Sequence, residues 1–118
     1  FNFKGIPKKS IFSNSSKVKM FEENFAKFVG SKYSIMVSSG TAAIKTALIA
    51  AGVKHGDEVI TQCFNFIAVV EAIIDIGAKP IITEINETLN MCPEDLKRKI
   101  TKKTKVIIPV HMLGVSAE

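Results

Sequence analysis

The chain has 118 residues, 47% of them hydrophobic and 23% charged, with a formal net charge of +5. That balance fits one soluble globular domain with its own core and excludes a membrane-spanning helix, because the best apolar run, 66–76, is short and broken by Glu71 and Asp75. The basic excess does not read as a nucleic-acid surface: its densest run, Lys97-Arg98-Lys99 with Lys102, Lys103 and Lys105, has one arginine and no aromatic for stacking.

The opening Phe1-Asn2-Phe3-Lys4-Gly5 lacks the charged-then-apolar order of a secretory signal, so a cytoplasmic protein is expected. Residues 1–14 read as irregular. Val18, Phe21, Phe25 and Phe28 then recur at helical spacing, with Ser15 or Ser16 as N-cap and Gly30 just past the end. This phenylalanine stripe is expected in the core. From Tyr33 onward short apolar strands alternate with helices: strands at 34–37, 58–61, 80–83 and 106–110, helices at 41–51, 67–76 and 93–100. The last helix opens with Pro93, Glu94 and Asp95 and closes with Lys97, Arg98 and Lys99, as the helix dipole favours. Strand–helix alternation with short connections predicts an α/β fold: a mostly parallel sheet with helices on both faces. Residues 1–30 are expected to form an arm and helix, and 31–118 the βα repeats. Cys63 and Cys92 lie far apart without CxxC spacing, so reduced, mostly buried thiols are expected, and no metal site.

Ligands of open α/β sheets bind beyond the carboxyl ends of the strands. The loops there carry Ser38-Ser39-Gly40-Thr41, the stretch Gln62 to Phe66, Glu84-Ile85-Asn86, and His111 to Gly114. In the first, Gly40 has no Cβ to block close approach. The Thr41 and Ala42 amides open a helix, where an anion is favoured, and the Thr41 hydroxyl adds a donor. The same residues also read as a plain N-cap. No Gly-Lys-Ser/Thr or GxGxxG pattern supports a nucleotide-triphosphate or NAD site. Phe66, opening the next helix, either lies against a planar ring or belongs to the core. His111 either titrates or binds an anion at the edge, or sits partly buried and bonded to backbone. No nucleophile–base pair is present in the pattern, so no catalytic residue is named.

The stretches 37–44, 56–60, 66–68, 77–80, 100–105 and 109–114 occur in an order and spacing that resembles the DegT-type sugar aminotransferases, pyridoxal-phosphate (PLP) enzymes of the aspartate aminotransferase superfamily, fold type I. The resemblance implies that 1–118 is the N-terminal part of the large domain. It gives the PLP phosphate to Gly40, Thr41 and Ala42, and the pyridine ring to Phe66. It implies transfer of an amino group, from a donor such as glutamate, to a nucleotide-linked keto sugar in polysaccharide or glycan biosynthesis, by a homodimer. Dehydratases of the same family are the nearest alternative, and a non-catalytic phosphate-binding or interaction module is the other. Gln62-Cys63 departs from the family's proline-led turn, and Glu84 stands where aspartate is usual. The family's Schiff-base lysine lies beyond the matched segment, so residues 1–118 alone are expected to be inactive. The resemblance also sets strands 34–37 and 106–110 apart from the other two. The isolated piece is then expected to aggregate, self-pair or rearrange its sheet.

Overall fold

The computed structural model describes residues 17–118 and divides at Val37 and Ser38 into two units. In the first, α1 (Lys17–Val29) forms where the sequence period demands it. It ends as expected: Gly30 takes φ +71, and Ser31 N donates to Ala26 O at 2.9 Å. The proposed N-caps Ser15 and Ser16 lie outside the described residues. The phenylalanine stripe departs from expectation. Phe21 and Phe25 stack at 5.6 Å between ring centroids, yet both are exposed, and Phe28 is 86% exposed. The physical reason is that a helix buries its stripe only against another element, and 17–37 contains α1 alone. Residues 34–37 do not form the expected strand. A strand exists only through pairing, and here Met36 N donates to the Glu22 carboxylate at 2.8 Å.

The second unit carries the α/β architecture. It runs α2 (Gly40–Ala50), β1 (Glu58–Gln62), α3 (Ile67–Asp75), β2 (Lys79–Thr83), α4 (Pro93–Lys99), β3 (Thr104–Ile108) and a 3-10 turn at Met112–Gly114. The sheet is parallel, in the order β2-β1-β3, with Ile60 opposite Ile81 on one side and Ile107 on the other, and an isolated antiparallel bridge joins Ile85 and Met91 beyond β2. This corrects the expected separation of the last strand: β3 pairs directly with β1. Parallel strands joined by right-handed crossovers put α3 and α4 on opposite faces, and β1 is buried along its whole length. Pro80 is tolerated because β2 is an edge strand among the described residues.

The core lies between the sheet and the α2–α3 layer: Leu48, Val53, Val59, Val69, Ile73 and Ala78, with Ile44, Val106 and Ile108 packed against it. Lys45 and Asp75 form an ion pair between the two helices. Gly77 ends α3 at φ +77, and a Cβ there would stand 2.6 Å from His55 Cδ2. No larger residue fits that corner without strain. On the other face, Asp95 fastens α4 to the end of β2. Its carboxylate accepts Glu84 N at 2.8 Å and pairs with Lys99 at 2.9 Å and Arg98 at 3.0 Å. The Glu84 amide first, then Lys99 and Arg98, hold its pKa down at about 2. Among the described residues no helix is long and apolar enough to cross a membrane.

Candidate functional site

α2 packs on the sheet and its C-terminal end leads through Gly52 and Val53 into the start of β1, so its first turn lies at the strands' carboxyl edge. α3 starts at the same edge, directly after β1. The two helix starts therefore face the region where α/β sheets take their ligands.

At α2, Ser39 is extended and caps the helix: its Oγ accepts Ala42 N at 3.1 Å, and its carbonyl accepts Ala43 N at 3.0 Å. The amides of Gly40 and Thr41 and the Thr41 hydroxyl have no partner among the described residues. A Cβ at Gly40 would meet nothing within 4 Å, so this turn opens onto free space. The sequence left a plain cap and an anion cradle as alternatives, and the geometry accommodates both. Ala42, expected to offer its amide outward, spends it on Ser39. The outward donors are those of Gly40 and Thr41, one residue earlier.

At α3, Phe66 is the N-cap residue, with φ −71 and ψ 132 and no side-chain cap. It is 74% exposed and Phe64 is exposed beside it, so neither ring belongs to the core of the described chain. The loop beneath them is held by polar side chains. Gln62, 1% exposed, donates through Nε2 to Phe64 O at 3.2 Å and Leu89 O at 3.0 Å, and its Oε1 accepts Val110 N at 3.0 Å. Asn65 donates to Thr61 Oγ1 at 3.0 Å, and Thr61 Oγ1 donates to Ile108 O at 3.1 Å. Buried Asn90 accepts Met112 N at 2.9 Å through Oδ1. Sequence reading missed Gln62 and Asn90 as organisers of the edge. Their signal was a polar amide placed among residues otherwise fit for burial, which demands internal partners.

His111 is exposed, and its Nδ1 accepts Ala117 N at 3.0 Å. It is bonded to backbone as one alternative had it, but it is not buried. Cys63 is exposed, contrary to the expectation for both thiols, because it sits in the turn after β1. Half-buried Cys92 lies 3.2 Å from the Glu94 carboxylate, and both cysteines are free. Among the described residues no group of three or more His, Cys, Asp or Glu is placed to hold a metal.

The chain as a whole is similar to known proteins. The chain is 44% identical over 107 residues to the spore coat polysaccharide biosynthesis protein SpsC of Bacillus subtilis, covering 90% of this chain and 28% of that protein. It is 40% identical over 109 residues to the GDP-perosamine synthase of Vibrio cholerae, covering 92% and 30% respectively. Among solved structures it is similar to NtdA of Bacillus subtilis with bound cofactor PMP, at TM-score 0.82 and 36% identity, over 86% of this chain and 23% of that one. A GDP-4-keto-6-deoxymannose-3-dehydratase with a trapped PLP-glutamate geminal diamine superposes at TM-score 0.76 and 36% identity, over 82% and 27%. The chain thus spans less than a third of the length of these relatives. Its sequence matches the family pattern over residues 2–118, nearly end to end, and the chain belongs to the DegT/DnrJ/EryC1/StrS aminotransferase family.

Proposed function

We propose that this chain supplies the phosphate cradle and one ring wall of a PLP-dependent sugar aminotransferase. The observation that carries the reading is the start of α2: two unpartnered amides, at Gly40 and Thr41, opening onto free space at the functional edge of a chain of this family. An anionic phosphate fits that donor set. Adjacent N–H groups and the Thr41 hydroxyl point at it, and the helix dipole favours negative charge there. Phe66 offers an exposed ring for the pyridine face, and Ser39 keeps the first turn wound while Gly40 and Thr41 bind. When bound, PLP supplies the electron sink that amino transfer requires. This chain's residues hold and orient it.

The acceptor in this proposal is a nucleotide-linked keto sugar and the donor is glutamate, in a cytoplasmic homodimer serving polysaccharide or glycan biosynthesis. Two relatives support that substrate class: one named for GDP-perosamine, the other for spore coat polysaccharide. The dehydratase likeness keeps a second reading open, sugar dehydration with the same cofactor. The two reactions differ in a residue, lysine against histidine, that matches no position here. The intact protein, mixed with PLP, glutamate and a keto sugar nucleotide, tests the proposal. Amino sugar formation supports it, deoxygenation supports the dehydratase, and no change in PLP absorbance leaves a bare phosphate-binding module. Residues 1–118 alone give no turnover on this account.

A further inference from the structure

Phe66 is 74% exposed and its side chain is not packed into the core, so its backbone alone sets where its Cα–Cβ bond points and which rotamers its ring can take. That backbone belongs to a loop, 63–66, in which no residue is helical or paired in the sheet. What holds the loop is a short set of bonds. Cys63 N donates to Thr83 O at 2.8 Å, Asn65 reaches back to Thr61, and Gln62 Nε2 grips Phe64 O. Gln62 differs from the others because both its amide hydrogens and its carbonyl oxygen are bonded and it reaches beyond its own loop. The same Nε2 donates to Leu89 O, whose residue sits in the left-handed region at φ +63, and Oε1 accepts Val110 N, just past the end of β3. One buried amide group therefore joins the carboxyl-end segments of all three strands.

We propose that Gln62 is a positioning residue that sets the pose of Phe66 against the cofactor ring and locks the β2 and β3 loops to it. This rests on the reading of Phe66 given above. A buried amide whose three bonds all run to backbone cannot shift without stranding a donor or an acceptor, each at the cost of an unsatisfied polar group. The three segments therefore move together or not at all. An apolar residue of equal length fills the same space but releases them, and the exposed ring then samples several directions.

The test uses the intact protein with Gln62→Met, Phe66→Ala and Thr83→Val. The last removes a buried hydroxyl that bonds Thr61 O but leaves in place the Thr83 carbonyl that holds Cys63 N, and serves as a control for loss of a buried hydrogen bond that does not run through Gln62. The readouts are PLP affinity by absorbance titration, the visible circular dichroism of bound PLP, and Tm. Q62M is expected to weaken PLP about tenfold, in keeping with the loss of several modest hydrogen bonds, and to change the dichroic band. T83V, compared at similar loss of Tm, changes neither. Q62M with wild-type affinity and dichroism, beside an F66A variant that binds PLP weakly, overturns the proposal. F66A without effect instead overturns the role of Phe66 itself, and the proposal with it. Should Q62M fail to fold, hydrogen exchange on the unaltered protein decides: the Val110 amide is expected to be protected like those of β1, and free exchange there overturns the network.

Discussion

Thr41→Val in the intact protein isolates a single donor of the proposed cradle. The Thr41 hydroxyl has no partner among the described residues, so its removal costs the apo fold no internal hydrogen bond. Valine has the same branched shape and similar helix tendency, which leaves α2 and its Ser39 cap in place. The effect falls on the ligand. A hydrogen bond to a charged group contributes about 1.5–3 kcal/mol, which corresponds to about a ten- to hundredfold change in dissociation constant. PLP titration followed by absorbance, with thermal unfolding of the apo protein alongside, measures both sides. The expected result is a weaker PLP complex at unchanged apo Tm. Affinity within twofold of the parent would remove the hydroxyl from the site, and a large fall in apo Tm would show that Thr41 is structural.

Phe66→Ala removes an exposed ring, so apo Tm stays unchanged while PLP binds several-fold more weakly, as a stacking contribution of about 0.5–1.5 kcal/mol implies; a collapse in Tm would contradict the placement. Gly77→Ala forces a side chain into φ +77 and against His55, and urea unfolding is expected to show a loss of about 1–3 kcal/mol; an unchanged midpoint refutes the strain argument. Asp95 has a folded pKa of about 2 against about 3.9 unfolded, so its contribution is present above pH 4 and lost as pH falls toward 2. Asp95→Asn should therefore flatten the acid loss of stability between pH 4 and 2, and parallel curves for the two proteins would contradict the clamp.

Much of the second unit was legible because its residues obey local rules. The start of α4 is announced by Pro93, Glu94 and Asp95, the end of α3 by Gly77, and β1 by the short run at 58–61 around Val59 and Ile60. Strand order was not legible. No local pattern in 106–110 tells which strand it joins, and the direct pairing with β1 comes from the packing of crossovers. The strand expected at 34–37 failed for the same reason, since an apolar run cannot supply a partner. The phenylalanine stripe of α1 misled because periodicity reports a face fit for burial and not whether anything covers it. At the candidate site, the helix start at Gly40 and Thr41 was legible, while Phe66 was left open between a ring wall and the core, and its exposure came only with the structure. The division of donors between Ser39's cap and the open turn was not, because it depends on which way one hydroxyl points. Gln62 stayed hidden for a related reason: two of its three partners lie 27 and 48 residues away.

Single-residue hydrogen exchange across Ser39–Ala43 of the intact protein, free and with PLP, tests the cradle most directly. Without ligand, Gly40 and Thr41 should exchange as free amides, while Ala42 and Ala43 are slowed by their bonds to Ser39. Adding PLP should protect Gly40 and Thr41, and pyridoxal, which lacks the phosphate, should not. PLP bound tightly with both amides still exchanging freely would contradict the assignment of the phosphate to this helix start.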